Sequence, residues 1–310
     1  MSNVSPAVVA KPKTSKFRRF WLDNKAGWGF LAPFMILFLV FTILPVFVAM
    51  GLSFTNYNMI QDATFTGVQN YRLLFLEDDV FIIAVENTLI FACIIGPVGY
   101  IMSFAMAWFI SLCKHGRGPL ALAFYAPSLT SGTAMSVIWL VIFSGDRYGY
   151  LNHLLLRIGL ISDPILWNKD PQYILPVVVI ISGWMSMGTG FLVFLAGLQN
   201  IDPELYEAGK MDGIKNPFQQ LIYITLPLMK PQLLFGAINS IVSSLAVFDV
   251  ATAVAGFPSP NYAAHTIVAH LYDYAFTRFS MGYASAVAMF LFVLSFSLSR
   301  ICMKIFRSDD

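Results

Sequence analysis

Six apolar runs, at residues 29 to 52, 82 to 112, 120 to 144, 173 to 198, 228 to 254 and 281 to 303, are each long enough to cross a bilayer as a helix. No other feature constrains the fold as strongly. A hydrocarbon core offers the backbone no water, so a chain built of such runs must satisfy its N–H and C=O groups within its own helices. Composition agrees: 57% of the 310 residues are hydrophobic, 12% are charged and 28 are phenylalanine, more apolar side chain than a soluble domain of this size could cover. The expected fold class is an all-α integral membrane protein with six transmembrane helices in contact with membrane lipid.

The first run continues from Gly29 to Met50, longer than the apolar region of a signal peptide, so it is expected to stay in the protein. Residues 1 to 28 form a basic tail carrying Lys11, Lys13, Lys16, Arg18, Arg19 and Lys25. Such a tail could bind nucleic acid, but ahead of a span it is read as a topology signal, and no nucleic-acid partner is expected. With the amino terminus inside, Lys114, Arg117, Lys210, Lys215, Lys230, Arg300, Lys304 and Arg307 also fall inside. Only Arg72, Arg147, Arg157, Lys169 and Arg278 fall outside, so both termini are placed in the cytoplasm. Pro33, Pro45, Pro97, Pro127 and Pro176 lie within spans and predict kinks or local ends.

The residues offer no catalytic constellation. There is no GxxxxGK[ST] phosphate loop, no HExxH and no hydrolase elbow. Cys93, Cys113 and Cys302 are widely spaced and read as packing residues, with no metal site. His265 and His270 fall in an outer loop and read as ordinary polar residues.

Between the fourth and fifth runs lies a polar segment containing YEAGKMDG, residues 206 to 213. Asp202 is suited to an N-cap, Pro203 to the first helical position and Gly213 to a stop; Asn216 and Pro217 open a second helix that can run to Leu226 before Pro227. Leu205, Ala208 and Met211 repeat every third residue as a narrow apolar stripe, with Tyr206 beside it. A helix this short needs something to pack on. Pattern alone leaves open whether that is the ends of its own spans or a groove on a soluble partner.

The run ELYEAGKMDGIKNPFQQLIYITLP resembles the EAA loop, residues 199 to 227 here, of permease subunits of binding-protein-dependent ATP-binding-cassette importers. Glu207, Ala208, Asp212, Gly213, Ile224, Leu226 and Pro227 match; Gly209 and Ile214 replace alanines, and the spacer before ITLP is one residue longer than usual. FTGVQNYRLLF, Asn87-Thr88, APSLTSGTAMSVIWLVIF followed by GYLN, AGLQ, and VFD at 247 to 249 resemble the carbohydrate permeases of the maltose-importer type. The resemblance implies the type I importer permease fold across residues 29 to 310, a bacterial plasma membrane location and uptake of a sugar or oligosaccharide. It also implies four kinds of partner: a second homologous permease, two ATP-binding subunits, an extracellular solute-binding protein and the sugar. ATP and magnesium would be held by the partner ATPase, and no cofactor by this chain. Coupling to that ATPase would fall to Tyr206, Glu207, Ala208, Met211, Asp212 and Gly213.

Polar groups inside a bilayer mark interior surfaces, and runs four and five carry the richest sets. Ser182, Trp184, Ser186, Thr189, Asn239 and Ser243 are the candidate substrate path, as aromatic faces and small polar groups suit sugars. Ser and Gly in membrane helices also serve helix packing, which is the competing reading. Asp249 is read as capping or pairing. The candidate residues of these runs include no Lys or Arg, which disfavours an anionic cargo such as glycerol-3-phosphate, the first alternative. An ion-coupled secondary transporter, the second, would require central carboxylates, whereas only peripheral Glu86 and Asp249 are present. A membrane scaffold, the third, would need no polar track.

Overall fold

The computed structural model describes residues 25–113, 115–130 and 132–307. The basic residues from Lys11 to Arg19 lie outside the described residues, as does Lys114. The chain forms two compact units, one ending at Gly51 and one beginning at Leu52.

In the first unit, helix α1 (Lys25–Phe38) passes through a π-helical turn, Leu39–Ile43, into α2 (Leu44–Leu52). The turn is centred on Phe41, the residue four before Pro45. A proline ring clashes with the carbonyl four residues back, and a widened turn relieves that clash without ending the helix.

Among the described residues of the second unit, helices joined by irregular connectors are the regular structure, apart from an isolated bridge between Thr55 and Phe65. A short α3 (Gln69–Leu76) precedes α4 (Asp79–Leu112), whose N-cap Asp78 accepts from the Phe81 N–H at 2.9 Å. Then come α5 (Arg117–Leu129), α6 (Gly132–Ile142) and the small α7 (Tyr150–Arg157). Helices α8 (Pro171–Met185) and α9 (Thr189–Gln199) form one interrupted span. The loop follows, with α10 (Pro203–Met211) and α11 (Pro217–Gln220). Helices α12 (Lys230–Leu245) and α13 (Asp249–Ala255) form a second interrupted span, and α14 (Ile267–Tyr272) leads to the long α15 (Met281–Arg307).

Among the described residues, five stretches are long and apolar enough to cross a membrane: Gly27–Leu52, Asp79–Leu112, Pro171–Gln199, Lys230–Ala255 and Met281–Phe306. The sixth expected span, 120 to 144, is instead two helices, α5 and α6, with extended backbone at Thr130. Pro127 lies just before that break, and the interruptions in the other two spans fall at 186–188 and 246–248, where there is no proline. Three spans are therefore broken.

Helix α4 is the central post, packed by α8, α9 and α12. Small residues set the close approaches: Gly99 faces Ser186, where an added Cβ would lie 2.8 Å from the serine Cβ. Ser240 Oγ donates to the Gly96 carbonyl at 2.7 Å, joining α12 to α4.

One end of this unit, hereafter the loop end, carries the 112–117 turn and the 199–227 loop, which line one recess together. The far end is fastened by three asparagines. Asn70 Nδ2 donates to the carbonyls of Ser53 and Thr55, both at 2.8 Å. Asn87 Nδ2 donates to those of Tyr262 and His265, at 2.9 and 3.1 Å, while Thr88 Oγ1 accepts from the Ile267 N–H. Buried Asn152 donates to Ser144, Asp146 and Ile165 carbonyls and accepts from the Ile165 N–H and Trp167 Nε1. Backbone groups in buried connectors need such partners, and an amide offers both donors and an acceptor.

Candidate transport pathway and coupling loop

A cavity of about 250 Å³ opens among α4, the α8–α9 break and α12. Ser182, Ser186, Asn239 and Ser243 all line it, with Phe91, Tyr100 and Phe194 supplying aromatic walls. Four residues predicted from two separate runs are thus brought to one place. They are not equivalent. Ser186 Oγ donates to the Gly183 carbonyl at 2.6 Å and sits against Gly99, so helix packing already uses it. Ser182 Oγ is buried with no hydrogen-bond partner among the described residues, an unpaid desolvation cost that a solute hydroxyl or water would relieve. Trp184 does not line the cavity: it is 52% exposed and meets Trp139 edge-on at 6.2 Å. Thr189 begins α9, but its side chain lies outside the described ones.

The breaks explain why a cavity forms here. Thr130, Met185 and residues 246–249 line a second recess of about 300 Å³, which shares Met185, Val247 and Val250 with the first. The interruptions of all three broken spans therefore meet beside the cavity. Irregular backbone at membrane depth persists only where it is buried in protein or lines a cavity, so their convergence marks an interior shielded from lipid. Sequence reading missed this architecture. The Gly-rich SMGTG at 186 to 190 was the available signal for one break; 246–248 carries none.

Asp249 does not cap or pair as expected. It is exposed in the second recess, with no side-chain partner among the described residues.

The histidines also differ from expectation. His265 and His270 are buried, 3% and 1% exposed, at the far end. His270 Nε2 lies 3.3 Å from Asp78 Oδ2 and its Nδ1 lies 3.4 Å from His265 Nε2. With His270 Nε2–H donating to the carboxylate, Nδ1 accepts from His265 Nε2–H. The same carboxylate oxygen accepts from the hydroxyls of Tyr274 at 2.9 Å and Tyr283 at 2.7 Å. Burial would raise the Asp78 pKa, but hydrogen bonds from Tyr283, the Phe81 N–H and Tyr274, with His270 nearby, hold it below the ordinary value. Burial, with His270 alongside, pushes His265 down to about 4, and burial also lowers His270 against the pull of Asp78.

At the loop end, α10 forms as expected. Asp202 accepts from the Glu204 N–H at 2.9 Å, and Gly213 turns the chain at φ +92°. Asn216 and Gln219 close a reciprocal capping box ahead of α11. The second helix does not end at Leu226: it passes through a π-helical turn, Leu221–Thr225, and on past Pro227 to Leu228. Again the turn is centred four residues before a proline, at Tyr223. A π turn also holds one residue more than an α turn, the amount by which the spacer exceeds the family pattern.

Helix α10 has two faces. Tyr206 and Gly209 turn toward the chain's own spans: the Tyr206 hydroxyl bonds Thr225 Oγ1 at 3.0 Å, and its ring packs on the cluster of Phe194, Leu198, Ile201 and Met229. Gly209 is buried where an added Cβ would lie 2.6 Å from Ile224 Cδ1 and 3.5 Å from Ile214 Cδ1. Glycine at 209 thus vacates space that Ile224 occupies, with Ile214 at ordinary contact distance beside it. The opposite face is uncovered. Met211 is 89% and Leu205 44% exposed, and Glu207, Ala208, Asp212 and Gly213 are exposed with them.

Comparison with known proteins accords with this arrangement. The family described as "binding-protein-dependent transport system inner membrane component" matches residues 6–306. The lactose transport system permease protein LacF of Rhizobium radiobacter is 32% identical, over 94% of this chain and 96% of that protein. The probable ABC transporter permease protein YesP of Bacillus subtilis is also 32% identical, over 93% of each. A crystal structure of a bacterial alginate ABC transporter, in complex with a pentasaccharide-bound periplasmic protein, contains a chain of the same fold. It matches with a TM-score of 0.75 at 23% identity, covering 93% of this chain and 97% of that one. With nearly its whole length matched and its broken spans and EAA loop in place, this chain belongs to the family of binding-protein-dependent transport system inner membrane components.

Proposed function

We propose that this chain is a permease subunit of an ATP-driven importer that moves an uncharged sugar or oligosaccharide into the cell. The observation that carries this reading is the cavity at the meeting of the broken spans, with Ser182, Asn239 and Ser243 set among aromatic rings. Hydroxyl and amide groups match sugar hydroxyls, rings match C–H faces, and among the described residues no Lys or Arg lines the cavity to favour an anion. Relatives named for lactose and for arabinooligosaccharides support a carbohydrate cargo.

The exposed face of α10 would dock on a separate ATPase, two copies of which would serve this chain and a second homologous permease. Glu207 would supply a charge contact, and Ala208, Met211 and Leu205 the apolar area. With no phosphate-binding loop in the sequence, ATP and magnesium belong to those partners. The positive-inside distribution supports a cytoplasmic loop end and an external far end, where an extracellular binding protein would deliver the solute. When ATP closes the ATPase pair, α10 would move as a rigid body and turn the cavity outward.

The test is reconstitution of this permease with its co-purifying subunits in proteoliposomes. Asn239→Ala and Ser182→Ala should raise the KM for uptake several-fold while leaving ATP hydrolysis intact. Glu207→Ala paired with Met211→Ala should abolish stimulated hydrolysis. Purification of the chain alone, with uptake independent of ATP, would overturn the reading.

A further inference from the structure

One buried ring lines the cavity on its loop-end side. Phe194 on α9 is fully buried, and Tyr100 and Phe104 hold it edge-on at 5.4 and 5.5 Å, both at 85°. The ring lies over Gly236 of α12. A Cβ built there would meet Phe194 Cζ and would stand 2.7 Å from Cε1, so the ring occupies the space that a side chain at 236 would fill. The Tyr100 hydroxyl donates to the Leu233 carbonyl at 3.2 Å, tying the bracing ring to the same stretch of α12.

Polar groups stand on both sides of this constriction. Asn239 and Ser243 line the cavity on its far-end side. One helical turn toward the loop end, Gln232 Oε1 is buried without a hydrogen-bond partner among the described residues, and its side chain packs on Gly197. A polar path interrupted by an apolar ring is a barrier, because a hydroxylated solute or its water must be stripped to pass. The ring also shares one apolar cluster with Leu198, Ile201, Leu233 and, at its edge, Tyr206 of α10.

The geometry points to Phe194, seated on Gly236, as the gate at the loop end of the transport cavity, set by the position of α10. This rests on the cavity's role as the solute path. A slide of α9 along α12 takes the ring off the one position without a side chain to accept it, and Gln232 becomes the next polar station. Glycine at 236 is required for the closed state, and the ring for the barrier.

The test uses the assembled transporter in proteoliposomes, with Cys93, Cys113 and Cys302 replaced by alanine. Two probes are applied without ATP: leak of radiolabelled mannitol, and reaction of an Asn239→Cys thiol with a membrane-impermeant methanethiosulfonate supplied from the loop side. Phe194→Ala should raise both rates at least tenfold, and ATP hydrolysis should continue with little net uptake. Gly236→Val, which displaces the ring from the opposite helix, should do the same and replaces Phe194→Ala if that variant fails to assemble. Phe194→Leu, which keeps an apolar plug, should leak less than the alanine variant. Rates equal to the parent in assembled Phe194→Ala and Gly236→Val, with the Asn239→Cys thiol still reactive from the far side, would overturn the gate and leave the pathway standing. A thiol at 239 unreactive from either side in every background would overturn the pathway and the gate together.

Discussion

The two ends of the second unit are held by different forces. At the far end, connectors are bound by directional hydrogen bonds from half-buried Asn70 and buried Asn87 and Asn152 and by the carboxylate of Asp78. At the loop end, α10 rests on apolar side chains, a buried glycine and one hydroxyl pair, and leaves its opposite face uncovered. Directional bonds define one geometry and resist sliding, whereas an apolar contact loses little when side chains shift along it. The far end is built as a fixed frame and the loop end as a seat on which a helix can move.

The largest effect should follow from removing one clamp of the frame. Asn152→Ala strands several buried backbone groups, and about 3 kcal/mol or more should be lost, read as a lower thermal unfolding midpoint of the detergent-purified assembly. Overfilling the seat comes next. Gly209→Val drives a side chain into Ile224 at about 1–3 kcal/mol and should uncouple hydrolysis from uptake, and Gly209→Val combined with Ile224→Ala should restore much of the coupling.

Acidification tests the frame by another route. Between 6.5 and about 4, the unfolded chain protonates His265 while the folded chain keeps it neutral against His270, Asp273, Asp78 and Arg278. Stability is therefore fully present above 6.5 and falls as pH drops through that window. His265→Gln should flatten the slope measured by thermal unfolding. The smallest effect belongs to Tyr206→Phe, which removes one hydroxyl contact at the seat and should cost about 1 kcal/mol, with stimulated hydrolysis within twofold of the parent. Damage from Tyr206→Phe equal to that from Asn152→Ala would break the contrast between frame and seat.

The sequence showed one layer of this arrangement well. Five of the six span positions, the loop helices with their Asp202 and Asn216 caps, and the polar residues of α8 and α12 were legible because hydrophobic length, capping chemistry and the cost of intramembrane polarity are local signals. Asn70, Asn87 and Asn152 stood inside the very motifs that carried the family resemblance, yet their role as clamps depends on backbone partners up to 178 residues away. The inward turn of Tyr206, the burial of His265 and His270, and the meeting of three breaks are likewise tertiary facts. Trp184 illustrates the converse: its residue type suited a sugar, but its direction from α8 carries it away from the cavity. The seating of Phe194 was hidden because Gly236 signals only that something comes near, without saying what.

The fit among Gly209, Ile214 and Ile224 bears on how such loops can be exchanged between permeases. Only one of the three lies in the short helix; the second follows the glycine turn, and the third sits in the widened turn leading into the next span. A chimera that grafts another permease's nine-residue helix into this chain would bring an alanine against Ile224, whereas a graft cut after position 225 would carry its own complement. The transferable unit is the helix together with the turn beneath it.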